Sequence, residues 1–159
     1  MSRDKFNRMN KALVRWDEMT DEIERLTQEY DAEGWETLVL HPGDVVPQPA
    51  EDDSNPAFRL TVPDSELDAL SEFVGEDDSE FDEYETHQAA ADEVNLFLII
   101  LKSTTFERAV FYPVYYDPAV DIQFVDDVQD SDVLHTTVTD LNKSREFVFF
   151  HDTPELFIQ

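Results

Sequence analysis

Two of the four histidines stand where chemistry could be built. His41 closes the apolar run "LVLH" and has Asp44 three residues on; His151 closes "VFFH" and is followed directly by Asp152. An imidazole beside a carboxylate can act as a general base, and two such pairs could hold a divalent metal with open positions. His41, Asp44, His151 and Asp152 are therefore the candidates for a metal-assisted hydrolase, on the condition that the two strands end side by side. The plainer reading is a pair of strand-end histidines bonded to nearby backbone or water, and no catalytic residue is assigned. His87 and His135 complete the set, and none of the four falls into HExxH or HxH spacing.

Other chemistries are excluded by residue type. There is no cysteine, hence no thiolate nucleophile and no disulfide framework. A GxSxG elbow is absent, and three glycines (Gly34, Gly43 and Gly75) are too few to cradle a phosphate. In "GEDDSEFDEYE" seven of eleven residues are acids, but neither register of a calcium loop works: from Asp78 the sixth position is Glu83, and from Asp77 it is Asp82, where glycine is required. No cofactor is expected, and the balance leans away from an enzyme.

Charge is the strongest signal. The chain has 38 acids against 11 bases, a formal net charge of −27, and only four lysines. Between Trp16 and Leu101 there are 26 acids and two bases, Arg25 and Arg59. With 41% hydrophobic residues and 12 Phe, this is no disordered acidic tail. Acids interleaved with core residues, together with scarce lysine, fit a surface adapted to molar salt, where the Debye length falls to about 3 Å and like charges barely interact. A nucleic-acid mimic is a distant third reading, because it needs the acids of "EDDSEFDEYE" and "DEIER" in one ordered stripe. The first fifteen residues are the exception, with five bases and one acid. Their pull on phosphates would not survive high salt, since each contact contributes a slope of about −0.9 in log affinity against log salt. Nucleic acid is not an expected partner. Tyr112, Tyr115, Tyr116, Phe106 and Phe111 could form a base-stacking platform, but in so negative a field they are expected to pack. No apolar run reaches the ~18 residues of a membrane span, and the N-terminus lacks a signal-peptide core. A cytoplasmic protein with no membrane partner is expected.

The elements that must position these residues form a single α+β domain over residues 9–159, with a basic N-terminal arm over 1–15 that leads into its first helix. Met9, Ala12, Trp16, Met19, Ile23, Leu26 and Tyr30 recur at helical spacing, ahead of a stop at Gly34. Strands are predicted at "WETLVL", "AFRLTV", "YETHQA", "VNLFLIILK", "FERAVFYPVYY", "VLHTTVTDL" and "REFVFFHD", with further helices at "PDSELDALSEFVG" and "DPAVDIQFVDDVQ". Residues 42–56, with four prolines, read as a long loop. Pro113 predicts an edge or a bulge. The expected fold is a mainly antiparallel sheet of about seven strands with three helices. "LFLIIL", "TLVL" and "FVFF" do not alternate, so the sheet is expected to be covered on both faces, by the helices or by a second subunit.

At "ETLVLHPGDVVP", "YYDPA" and "FVFFHDTPELF" the chain resembles a family of small uncharacterised proteins of extremely halophilic archaea. The likeness covers roughly residues 15–157 and leaves the basic first fifteen outside. It implies the cytoplasm of a halophile and supplies no activity, cofactor or catalytic residue. The expected function is a non-catalytic binding or protein-interaction module. Its partner would be a second copy of itself or another protein, and it would need high salt for stability.

Overall fold

The computed structural model describes residues 3–51, 54–74, 81, 83–91, 94–143 and 145–158, with the side chains of 3–16 and 89–91 outside the description. Most of the acidic stretch that failed as a calcium loop therefore lies outside the described residues. The first element, α1, runs Arg3–Ala32 and takes in most of the basic segment. Met19, Ile23 and Leu26 form its buried stripe, with Tyr30 half-buried one turn on. The helix stops at Gly34, whose φ of +91° suits a residue without Cβ. Gly34 N–H donates to Asp31 O and Trp35 N–H to Tyr30 O, which satisfies carbonyls that the helix end would leave open.

Eight strands follow. β1 is Glu36–Val39, β2 Asp44–Gln48, β3 Ala57–Thr61, β4 Glu83–Ala91, β5 Val94–Ser103, β6 Arg108–Tyr116, β7 Leu134–Thr139 and β8 Glu146–His151. Helix α2 spans Asp64–Val74 and α3 spans Ile122–Gln129; a 3-10 turn over Pro154–Phe157 ends the described chain. The α+β class holds, but the single antiparallel sheet of about seven strands does not. There are two mixed four-stranded sheets, ordered β1-β6-β5-β4 and β2-β3-β7-β8. Each contains one parallel pair, β1 with β6 and β3 with β7, joining segments far apart in sequence. Residues 42–56 are not all loop: β2 forms there, and its Pro47 is tolerated because β2 is an edge strand.

The two central strands of the first sheet, β5 and β6, are buried on both faces. Leu96, Leu98 and Ile100 pack with Ala109 and Phe111 under α1. Phe97, Ile99 and Leu101 point the other way, with Val110, Tyr112, Val114 and Tyr116, into the core between the sheets. Residues 96–100 are all at most 2% exposed, as the lack of alternation predicts. The central core takes Phe58 and Leu60 from β3, Val138 from β7, Phe149 from β8, the inner faces of α2 and α3, and Phe157. Pro113 lies on β6, which is internal in the sheet order; but β1 has ended by then, so β6 is locally an edge.

The second sheet packs one face on the core and leaves the other exposed along its edge strands, at Asp44, Val46, Glu146 and Phe150, while Ala57, Thr137 and Thr139 of the central strands are buried there too. Opposite the core face, its strands present three rows set by register: Asp44, Thr61, Thr139 and Glu146; then Val46, Arg59, Thr137 and Val148; then Gln48, Ala57, His135 and Phe150. "FVFF" is thus not covered on both sides within the chain, and Phe150 is 67% exposed. Among the described residues no helix is long and apolar enough to cross a membrane.

Candidate functional site

The register separates the sequence candidates. Asp44 pairs with Thr61, and its row ends at Glu146 across the sheet. His151 pairs with Leu134, one step beyond the row of Gln48 and Ala57. Asp44 and His151 therefore lie at opposite ends of the two outermost strands. Five residues along the strands and three spacings across make a separation on the order of 20 Å. His41 precedes β2 at the Asp44 end, so His41, Asp44, His151 and Asp152 do not assemble into one metal or acid–base site. Among the described residues no group of three His, Asp or Glu could hold a metal ion.

Each histidine instead has its own setting. His151 is fully buried, with its ring 4.7 Å from that of Tyr84 and 5.6 Å from that of Phe157. Tyr112 OH donates to Thr136 Oγ1 at 2.9 Å, and Thr136 Oγ1 lies 2.8 Å from His151 Nε2. Thr136 Oγ1 can donate to Nε2 or accept a second hydrogen bond from it, according to the tautomer of the ring. The ring's Nδ1 is buried without a partner among the described residues. Burial pushes the imidazole down to about 3, with His135 adding to the depression and Asp152 opposing it. The ring is locked neutral in the core, out of reach of a substrate.

His41 is the opposite case, with a side chain 69% exposed and yet held in place. Glu66, on the first turn of α2, bridges it: Oε1 accepts the His41 backbone N–H at 2.5 Å, and Oε2 lies 3.0 Å from Nδ1. A carboxylate can only accept, so Nδ1 carries a proton, and in its neutral form the ring offers Nε2 as an acceptor. His41 lines a groove of about 340 Å³ between α1 and the end of the first sheet. The groove opens where β1 stops and β6 continues, with Pro113 on its wall. Sequence reasoning found His41 but missed Glu66, which lies 25 residues away and carries no local signal.

The second feature is the uncovered face of the second sheet. Phe150 and Val46 are exposed there, at 67% and 45%, with Val148 and His135 half-buried beside them. His135 packs its ring 5.8 Å from that of Phe150. Arg59 reaches Glu146 at 3.9 Å. Acids occur in only one of the three rows, at Asp44 and Glu146. In a chain with 38 acids in 159 residues, two adjacent rows of four without one are a marked local departure.

No curated protein matches the chain. No solved structure matches it either. A family of unknown function, DUF7529, matches residues 4–159, including the basic segment that the resemblance had left outside. The chain belongs to that family.

Proposed function

We propose that the protein is a non-catalytic interaction module that pairs with a second copy of itself through the outer face of the second sheet. We place it in the cytoplasm of an extremely halophilic archaeon, with no cofactor, nucleic acid or membrane as partner. The observation that carries the interaction reading is the acid-free, partly apolar pair of rows around Val46, Val148 and Phe150. An uncovered sheet face with an exposed phenylalanine is the pattern of an interface, whereas single scattered apolar residues are ordinary. A second copy fits the charge layout. A two-fold axis running across the strands sets the acid-bearing row of each copy on the acid-free row of the other, so that no acid row meets an acid row. Overall acidity with four lysines supports the halophilic setting.

The face measures roughly 17 by 19 Å in plan. That is below the ~800 Å² per partner of a standard interface, so the dimer belongs to the weak class. Each copy carries a charge of −27, so association should tighten with salt. Sedimentation equilibrium from 0.5 to 3 M KCl is expected to show a monomer–dimer equilibrium that shifts towards dimer as salt rises. Phe150→Asp alters the contact twice in a symmetric pair and removes burial worth about 2 kcal/mol per side. It should weaken the dimer by at least about 100-fold, with an unchanged thermal midpoint as evidence of folding. A strictly monomeric protein in 3 M KCl at millimolar concentration would rule the reading out.

A further inference from the structure

We infer that the groove beside His41 is a binding site for a small organic cation: a primary ammonium group on an apolar body of aromatic or branched aliphatic type. Its floor is apolar, with Ile23, Val39, Leu40 and Pro113 among the lining residues. A volume of about 340 Å³ lies at the small end of ligand sites. Such a floor selects an apolar body and leaves recognition of the polar end to the few polar side chains.

Those side chains share one character. The Glu66 bridge takes the His41 Nδ1 proton, so in its neutral form the ring presents Nε2 as an acceptor. Glu24, on the α1 wall, brings an acceptor-only carboxylate with no partner for its side chain among the described residues. Thr27 Oγ1, one turn on, donates its proton to Glu24 O at 2.8 Å, so its lone pairs are what it offers a ligand. No lysine or arginine lines the groove among the described residues. A carboxylate or phosphate ligand would meet the Glu24 carboxylate in the lining. An ammonium has three donors and no acceptor, which is the complement of that wall.

The positioning of His41 argues that the arrangement is more than a part of the acidic coat. An exposed imidazole usually samples many rotamers. Here one carboxylate is committed at both oxygens, to main chain and ring together, and it comes from a different element. The ring is held at the groove mouth in one tautomer before any ligand arrives, which lowers the ordering cost of binding.

The test uses the full chain in 2 M KCl, with three probes of one shape: phenethylammonium, 2-phenylethanol and 3-phenylpropanoate. Two-dimensional ¹⁵N–¹H NMR tuned to the imidazole nitrogens reads the tautomer and the His41 Nε2 shift during each titration. The expected result is saturable movement of the His41 and α1 resonances with the ammonium, at least tenfold weaker binding of the carboxylate, and the alcohol in between. Glu24→Gln should remove most of the ammonium-over-alcohol preference while leaving the tautomer signature intact. Glu66→Gln should instead mix the His41 tautomers and weaken the ammonium and the alcohol alike. Equal affinity for all three probes, no saturable binding, or shifts confined to the outer face around Phe150 would each overturn the inference.

Discussion

The thermal midpoint should climb by at least about ten degrees between 0.05 and 3 M KCl. At −27 the chain carries one uncompensated charge for about every six residues. Near 0.01 M salt the Debye length is about 30 Å, comparable to the size of the domain, so almost every surface carboxylate repels every other. At molar salt it is about 3 Å and the repulsion is local. The margin of a typical domain is about 5–15 kcal/mol, so repulsion on this scale takes a large part of it. Salt that is excluded from apolar surface also strengthens burial, in the same direction. Few ion pairs among the described residues offset the gain. The pairs of Arg25 with Glu22 and Glu29 are on the surface and contribute little. Differential scanning calorimetry across the KCl series measures the climb. A chaotropic salt at equal ionic strength screens equally without aiding burial, so it should give only part of it. A flat midpoint across the KCl series would show that the acids have another purpose, and the mimic reading would return.

The second large effect is a loss of stability in acid that traces to His151. In the unfolded chain this imidazole titrates near 6.5; in the folded core burial brings it down to about 3. Between those values the unfolded state binds the extra proton, so stability rises with pH through that window. The contribution is fully present above about pH 6.5 and is lost as pH falls towards 3. The slope approaches about 1.4 kcal/mol per pH unit once pH is well below 6.5, which makes roughly 2 kcal/mol between pH 6.5 and 4.5. Measured at 3 M KCl, where carboxylate repulsion is screened, the wild-type midpoint in urea should fall across that range. His151→Leu should flatten the fall. The variant need not be crippled: the wild type already leaves the buried Nδ1 without a hydrogen-bond partner among the described residues, and the leucine moves that deficit to the Tyr112–Thr136 pair. If wild type and variant fall in parallel, His151 is not the group responsible.

Local pattern made much of the fold legible. The spacing of Met19, Ile23, Leu26 and Tyr30 gave the buried stripe of α1, and the unbroken apolar run of β5 gave a strand covered on both sides. Pro113 pointed correctly to an edge, even though the edge exists only where β1 runs out. The division into two sheets was not legible. It depends on β1 meeting β6 and β3 meeting β7, and nothing in either partner's local sequence encodes so distant a pairing. β2 was hidden by its prolines, which an edge strand tolerates. The candidate site failed for the same reason as the single sheet. His41 and His151 do stand at or beside strand ends, but the ends are opposite ones. The residue that gives His41 its setting, Glu66, belongs to a helix that sequence placed well and could not orient.

The order in which the strands are used constrains how the molecule comes together. Along the chain the sheets are served alternately: β1 to the first, β2 and β3 to the second, β4 to β6 to the first, β7 and β8 to the second. Each sheet is therefore unfinished until a later segment returns to it, and no single cut divides the protein into two halves that each own a sheet. The β4–β5–β6 meander can form early, since its turns are short. Seating β1 against Arg108–Phe111 closes a loop of about seventy residues, and seating β7 against β3 a slightly longer one, both at an entropic cost that precedes any reward. Non-local pairing of this kind slows folding. On a ribosome the second sheet would be complete only after β8, which supplies one of its edges, has emerged.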